Sequence, residues 1–405
     1  MSTKEQIVAA PDAESFAPAY LRLLKTFLVR VCVAVTVGVL IMLAVELYSF
    51  TRYRNSGTDV LEFGVKLDLE ENGSAADRKY WREFEQSNRV LYHQYVLWRR
   101  APFQGEMISI DPNGVRQTTN TRCDGQTFTI WMFGDSVMWG AGTVDSETIP
   151  SLIAADYQKV GKPVCVVNYA EKGWSNTQEM VGLIELLKHA SRKPDIVLFY
   201  DGGTEAFAAY QNGEADVHSN FGLFSNFLDS WGKTHQAGFS YLRQTNTYRL
   251  LENLAAKQMF HRKASTQQNS QLDVARLSAD VIANYQQNIA IIQLLAKQYG
   301  FRPVFAWYPN LAVGHKEQTP YEKQVLAAQY QQFPNLGAMY QAVYDRSREI
   351  KSPDFYNLAN SVDGQKESLY IGISHMKPAG THLMADKLFA ILNNDSAPAA
   401  LRSAR

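Results

Sequence analysis

Two side chains in this sequence have the type and surroundings for nucleophilic chemistry. Ser136 lies in FGDSVMWGAG, directly after the apolar run TFTIWMF. His375 lies in YIGISHMKPAGTHLMADKLF, just ahead of an apolar helical pattern. A serine hydroxyl is a weak nucleophile until a base takes its proton, and a neutral imidazole is suited to do so. Each residue also has a plainer reading. Asp or Ser at a strand end is a routine helix cap or turn residue. A single histidine before a helix serves as a cap or a packing group. The tripeptide around Ser136 alone favours the plainer reading.

Other chemistries are poorly supported. Gly232-Lys233-Thr234 lacks the glycine a phosphate loop needs five residues upstream, where Phe227 stands. The eight histidines form no HExxH, and there is no G-x-S-x-G turn. Gly140 and Gly142 lack the third glycine of a dinucleotide fingerprint. Three cysteines are too few for a four-cysteine zinc site or a disulfide scaffold. Forty basic residues balance forty acidic ones, so no global field favours nucleic acid as a partner. No metal or organic cofactor is implied.

The elements that must position Ser136 and His375 begin at Gln126. TFTIWMF, PVCVVNY, DIVLFYDG and FRPVFAWYP are near-continuous apolar runs. Helical patterns at Ile149–Val160, Gln178–His189 and Leu277–Tyr299 alternate with them. That alternation predicts a parallel sheet covered by helices on both faces, with ligands beyond the carboxyl ends of the strands. Ser136, Gly173 and Thr204 follow three such strand ends. Residues 205–275 interrupt the alternation and carry Phe221, Phe224, Phe227 and Trp231. They read equally as a surface insertion or as a substrate cover. Cys123 and Cys165 fall at neighbouring strands of a 2-1-3-4-5 order, which favours a disulfide over two buried thiols.

Val31 to Val45 carries no charge. Counted from Leu24 to Glu46 the stretch makes roughly 34 Å of helix, enough for a hydrocarbon core. It is apolar all round, unlike a core helix, and no small-x-small cleavage site follows it. Lys4, Arg22, Lys25 and Arg30 precede it, which keeps the N-terminus in the cytoplasm. The chain therefore reads as a cytoplasmic tail over 1–23, an anchor over 24–48 and a juxtamembrane connector over 49–125. An α/β domain follows over 126–395. The connector is expected to be irregular apart from a helix at Asp77–Tyr92.

The order of these blocks resembles the SGNH/GDSL hydrolases. FGDSVMWGAG and NYAEKGWSNTQE are similar to that family's first two blocks, YDGGTEAF stands where its third falls, and HMKPAGTHLMA is similar to its last. The upstream stretch YHQYVLWRRAPFQGEMISIDPNGVRQT resembles a segment of membrane-anchored bacterial cell-envelope members. The resemblance implies a three-layer α/β/α, flavodoxin-like fold. It implies Ser136 as nucleophile and His375 as base. The oxyanion hole would come from the Ser136 and Gly173 N–H groups and from Thr204, which stands where the family has Asn. A second departure is Gly372, three residues before His375, where the family has Asp. Asp363 or Glu367 would have to fold back to orient the imidazole, or a backbone carbonyl would hold it.

The expectation is an esterase or acyl-transfer enzyme, such as an O-acetyltransferase, acting on O-acyl groups of a cell-envelope glycan. It would sit in a bacterial inner membrane with its main domain in the periplasm. The departures keep open a degenerate domain that binds glycan without catalysis. The aromatic insertion keeps open an esterase acting on lipid.

Overall fold

The four apolar runs form the centre of one parallel sheet. In the computed structural model, which describes residues 17–55, 73–222 and 272–393 together with 224, 225, 228, 247 and 248, they are β5 (Thr129–Gly134), β6 (Cys165–Asn168), β7 (Ile196–Asp201) and β8 (Arg302–Trp307). A fifth strand, β9 (Phe355–Asn357), completes the order β6-β5-β7-β8-β9. All four pairings are parallel. Every residue of β5 and β7 is buried, as covering on both faces requires.

The strand order reverses after β6. Right-handed crossovers then put the helices on opposite faces on either side of that reversal. On one face α4 (Ile149–Lys159) packs against α10 (Pro378–Leu392). On the other face α7 (Val274–Tyr299) packs with α5 (Asn176–His189), α6 (Gly203–Asn212) and α9 (Leu336–Ser347). α3 (Ser136–Trp139) is a single turn after β5, and α8 (Pro320–Gln332) precedes α9. The fold is the expected three-layer α/β/α arrangement.

The stretch expected as an irregular connector is different. α2 spans Ala75–Gln86, and the hairpins β1 (Val90–His93)–β2 (Leu97–Arg100) and β3 (Phe103–Gln104)–β4 (Ser109–Ile110) follow it. The predicted helix Asp77–Tyr92 stops early because Arg89 onward pairs as hairpin. These elements belong to the same unit as the sheet. The buried Glu83 carboxylate of α2 accepts from the N–H groups of Met107 (2.9 Å) and Ile108 (3.2 Å). Tyr80 OH accepts from Gly142 N (2.8 Å), which ties α2 to the loop after Ser136. Arg116 bridges to Asn168 at the edge of β6.

Near the N-terminus, α1 (Ala17–Asn55) includes a 31-residue candidate span, Leu21–Thr51, within which an 18-residue window has mean hydropathy 2.7. By length and composition it can cross a membrane, and a signal sequence has the same properties. The chain divides into two units, and Thr247 and Tyr248 of the insertion group with α1 rather than with the sheet. There Thr247 donates from N and from Oγ1 to Glu46, both at 2.8 Å. The tail before residue 17, Phe227 and Trp231 lie outside the described residues.

Cys123 and Cys165 are joined, and Cys32 is a free, exposed cysteine of α1. The bond closes a sequence separation of 42 residues. Loop entropy for a ring of that size corresponds to about 4 kcal/mol. Replacing both cysteines by serine is expected to lower unfolding stability by about 2–4 kcal/mol in a urea titration. Adding reductant to the wild type should reproduce that loss.

Candidate active site

Ser136 follows β5 at a turn that the backbone can make only with glycine before it. Gly134 has φ +153°, and a Cβ there would lie 2.6 Å from Met138 Cβ and 2.8 Å from Tyr200 O. Asp135 caps the short helix, its Oδ1 accepting from Val137 N at 2.8 Å. Asp135 is thus the cap and turn residue that the plainer reading describes. Ser136, one position later, is left with its hydroxyl for other work.

That hydroxyl meets His375. Ser136 Oγ lies 2.8 Å from His375 Nε2, across 239 residues of sequence. For the hydroxyl to donate, Nε2 must be the bare ring nitrogen, with the imidazole proton on Nδ1. The loop that presents His375 is clamped from several sides. Tyr370 bridges Met376, and Lys377 N donates to Leu369 O (2.8 Å). His375 O accepts from Ile371 N (2.8 Å), while Leu311 N donates to Ile373 O (2.8 Å). Tyr321 OH donates to Ile371 O (2.7 Å), and Asn310 Nδ2 to Ser374 Oγ (2.9 Å).

Thr204 is brought to the site, but its hydrogen goes elsewhere. Its Oγ1 donates to Asp135 Oδ2 at 2.5 Å. Tyr308 OH donates to the same oxygen at 2.5 Å and accepts from Gly203 N at 2.9 Å. The expected oxyanion donor is therefore a ligand of the buried Asp135 carboxyl. Burial pushes that carboxyl above the ordinary aspartate range, while the donors Thr204, Tyr308 and Val137 pull it back. Burial, reinforced by Asp135, pushes the Tyr308 phenol well up, so it stays a donor.

Gly173 sits in the loop after β6 with φ +78°, and a Cβ there would lie 3.8 Å from both Ser219 Oγ and Trp98 Cζ2. Among the described residues no protein acceptor takes the Gly173 N–H or the Ser136 N–H. Asp363 spends Oδ1 on His315 N (2.8 Å) and Oδ2 on Asn360 Nδ2 (2.7 Å). Glu367 is exposed. Both carboxylates expected near His375 are thus occupied at the His315 turn or turned to solvent. Trp139, Trp174 and Met138 are fully buried core.

Sequence reasoning missed two residues. Tyr308 follows β8 and joins that strand end to Asp135. Arg116 is fully buried. Its guanidinium donates to Trp139 O (3.1 Å), Gly140 O (2.6 Å) and Thr143 O (2.6 Å), pairs with Asp145 at 3.0 Å and stacks on Trp139. It fixes the chain that leaves Ser136. The only sequence signal for it was its place inside the upstream stretch already matched to a family segment. No group of three or more potential metal ligands occurs among the described residues.

No protein-family model and no curated protein matches this sequence. Among solved structures the chain is similar to a G-D-S-L-family lipolytic protein from Veillonella parvula. That match has 11% identity and TM-score 0.34, covering 66% of this chain and 98% of that one. It is also similar to a lipase/acylhydrolase from Enterococcus faecalis (13%, TM-score 0.30, 65% and 94%). A third similarity is to an acetyl xylan esterase from Geobacillus stearothermophilus (10%, TM-score 0.32, 69% and 100%). At TM-scores of this size the matches carry no argument about chemistry.

Thr204→Val and Tyr308→Phe each remove one donor from a buried carboxyl. Each is expected to cost about 1–3 kcal/mol of unfolding free energy in urea. A neutral result for both would show that Asp135 does not depend on these donors.

Proposed function

We propose that this protein is an SGNH-type serine esterase or acyl-transfer enzyme, and that the 2.8 Å contact between Ser136 Oγ and His375 Nε2 is its reacting pair. His375 takes the hydroxyl proton as Oγ attacks an ester carbonyl carbon. The oxygen of the tetrahedral intermediate is met by the Ser136 and Gly173 N–H groups. The imidazolium then returns its proton to the departing alcohol, leaving an acyl group on Ser136. Water, or a sugar hydroxyl in the transferase form, repeats the sequence and frees the serine.

Because Thr204 is held by Asp135, the oxyanion receives two donors rather than three. A lost donor is worth about 10²–10³ in rate. The same contact is what favours the alternative, a domain that binds glycan without catalysis. An enzyme with this site is slow rather than inert.

The substrate proposed is the O-acyl ester of a cell-envelope glycan. The support is the location implied by two independent features. Within the Leu21–Thr51 stretch, the uncharged run Val31–Val45 follows Lys4, Arg22, Lys25 and Arg30 and suits a single-pass anchor with a cytoplasmic N-terminus. The Cys123–Cys165 bond suits the oxidising side of a bacterial inner membrane.

The test is acetate release by the full chain in detergent, from p-nitrophenyl acetate and from O-acetylated polysaccharide. Turnover of both, falling about 10³-fold or more in Ser136→Ala and in His375→Ala, is the expected result. Turnover confined to micellar lipid esters would move the substrate to lipid. Glycan binding without turnover, unchanged in Ser136→Ala, would replace the enzyme with the binding module.

A further inference from the structure

The floor behind Ser136 collects four carboxyls. They are Asp135 at the end of β5, Glu179 in α5, Asp201 at the end of β7 and Glu205 in α6. Asp135, Glu179 and Asp201 are buried, and Glu205 is half-buried. Most of their oxygens have donors. Glu205 accepts from Asn176 N (3.0 Å) and Gly202 N (2.8 Å). Asp201 Oδ2 accepts from Asn176 Nδ2 (2.9 Å) and Tyr285 OH (2.8 Å). Three buried oxygens receive no donor from any N–H or neutral hydroxyl, namely Asp201 Oδ1 and both oxygens of Glu179.

Glu179 and Asp201 lie within hydrogen-bonding reach of each other. The groups that bear on Glu179 are the acids Asp201, Glu205 and Asp135. Those that bear on Asp201 are Glu205, Glu179, Asp135 and the phenol of Tyr285. Tyr308, after β8, bonds Asp135, and Tyr344 of α9 lies against Gly202. Two bare carboxylates side by side in such a setting repel, and Glu179, with no donor on either oxygen, would lose its hydration without recompense. A single proton removes both costs, because a carboxylic acid becomes a donor to its neighbour.

We propose that Glu179 is a neutral carboxylic acid whose O–H donates to Asp201 Oδ1, and that this shared proton positions the loop bearing Gly173. The positioning half rests on the reading of Gly173 as an oxyanion donor. Glu179 stands on the first turn of α5, and Asn176, which opens that helix, is bonded to both Asp201 and Glu205. The proton thus fastens the start of α5, three residues after Gly173, to the end of β7. Glu179 is a positioning residue and touches no reacting atom. Burial and the neighbouring acids raise both carboxyls well above the ordinary range, and raise Glu205 to about 7.

The sign of the pH dependence follows. An unfolded glutamate loses its proton near pH 4.3, whereas the folded chain keeps this one at neutrality. Unfolding above that range releases the proton, so this pair's contribution to stability is greatest at low pH and falls as pH rises through neutrality. One proton corresponds to about a tenfold change in the unfolding constant per pH unit.

The test compares the full wild-type chain with Glu179→Gln and Glu179→Ala. Glutamine can donate the same bond but has no proton to lose. Glu179→Gln is expected to keep esterase kcat and to show a weaker fall of stability between pH 5 and 8, by about tenfold per pH unit in the unfolding constant. Glu179→Ala is expected to lose kcat more than KM, and to raise amide hydrogen exchange in residues 170–176, with glutamine restoring both. An unchanged pH slope in Glu179→Gln would overturn the shared proton. Equal exchange in all three chains would overturn the positioning role. Both readouts work without turnover, so a wild type with no esterase activity counts against the proposed function and not against the pair.

Discussion

The Asp135 carboxyl is the interaction on which the rest of the site depends. Its two oxygens collect donors from three strand ends: Val137 N after β5, Thr204 Oγ1 after β7 and Tyr308 OH after β8. A buried acceptor left without its donor costs about 1–3 kcal/mol, so all three loops are held to one point. That point is the residue before Ser136. The direction in which the serine hydroxyl leaves the sheet is set by a polar knot beneath it, and His375 arrives on a separately clamped loop. The knot also explains why the hydroxyl of Thr204 faces inward.

Around this centre the structure uses buried charge to hold irregular backbone. Arg116 gathers three carbonyls of the chain that leaves α3, and Glu83 gathers backbone N–H groups of the β3–β4 hairpin. Each provides partners that no regular element would supply. Breaking the Arg116–Asp145 pair costs about 3–5 kcal/mol, because the buried guanidinium charge is stranded. The segment before the first long strand is therefore structural to the site, not a spacer.

Legibility in the sequence follows the length and periodicity of each element. The four central strands were visible as apolar runs because both faces of each are covered. α4, α5 and α7 were visible through helical spacing. β9 was not, being three residues with no buried run. β3 and β4 are two residues each and carry no pattern. Ser136 and His375 were singled out through the order of their blocks, and the structure brings the two side chains within 2.8 Å. The destination of the Thr204 hydrogen was invisible, since it depends on where Asp135 points. The roles of Arg116 and Glu179 were hidden for a related reason. Their partners lie 23 to 29 residues away for the Arg116 side chain, and at the end of β7 for Glu179, which stands on helix α5.

The central claim is that Ser136 is a nucleophile activated by His375. The most direct measurement is the intact mass of the full chain after exposure to a serine-reactive fluorophosphonate. The account predicts one adduct on the wild type, none on Ser136→Ala and a strongly slowed adduct on His375→Ala. No adduct on a folded wild type with its disulfide intact, or an adduct that persists in Ser136→Ala, would contradict it.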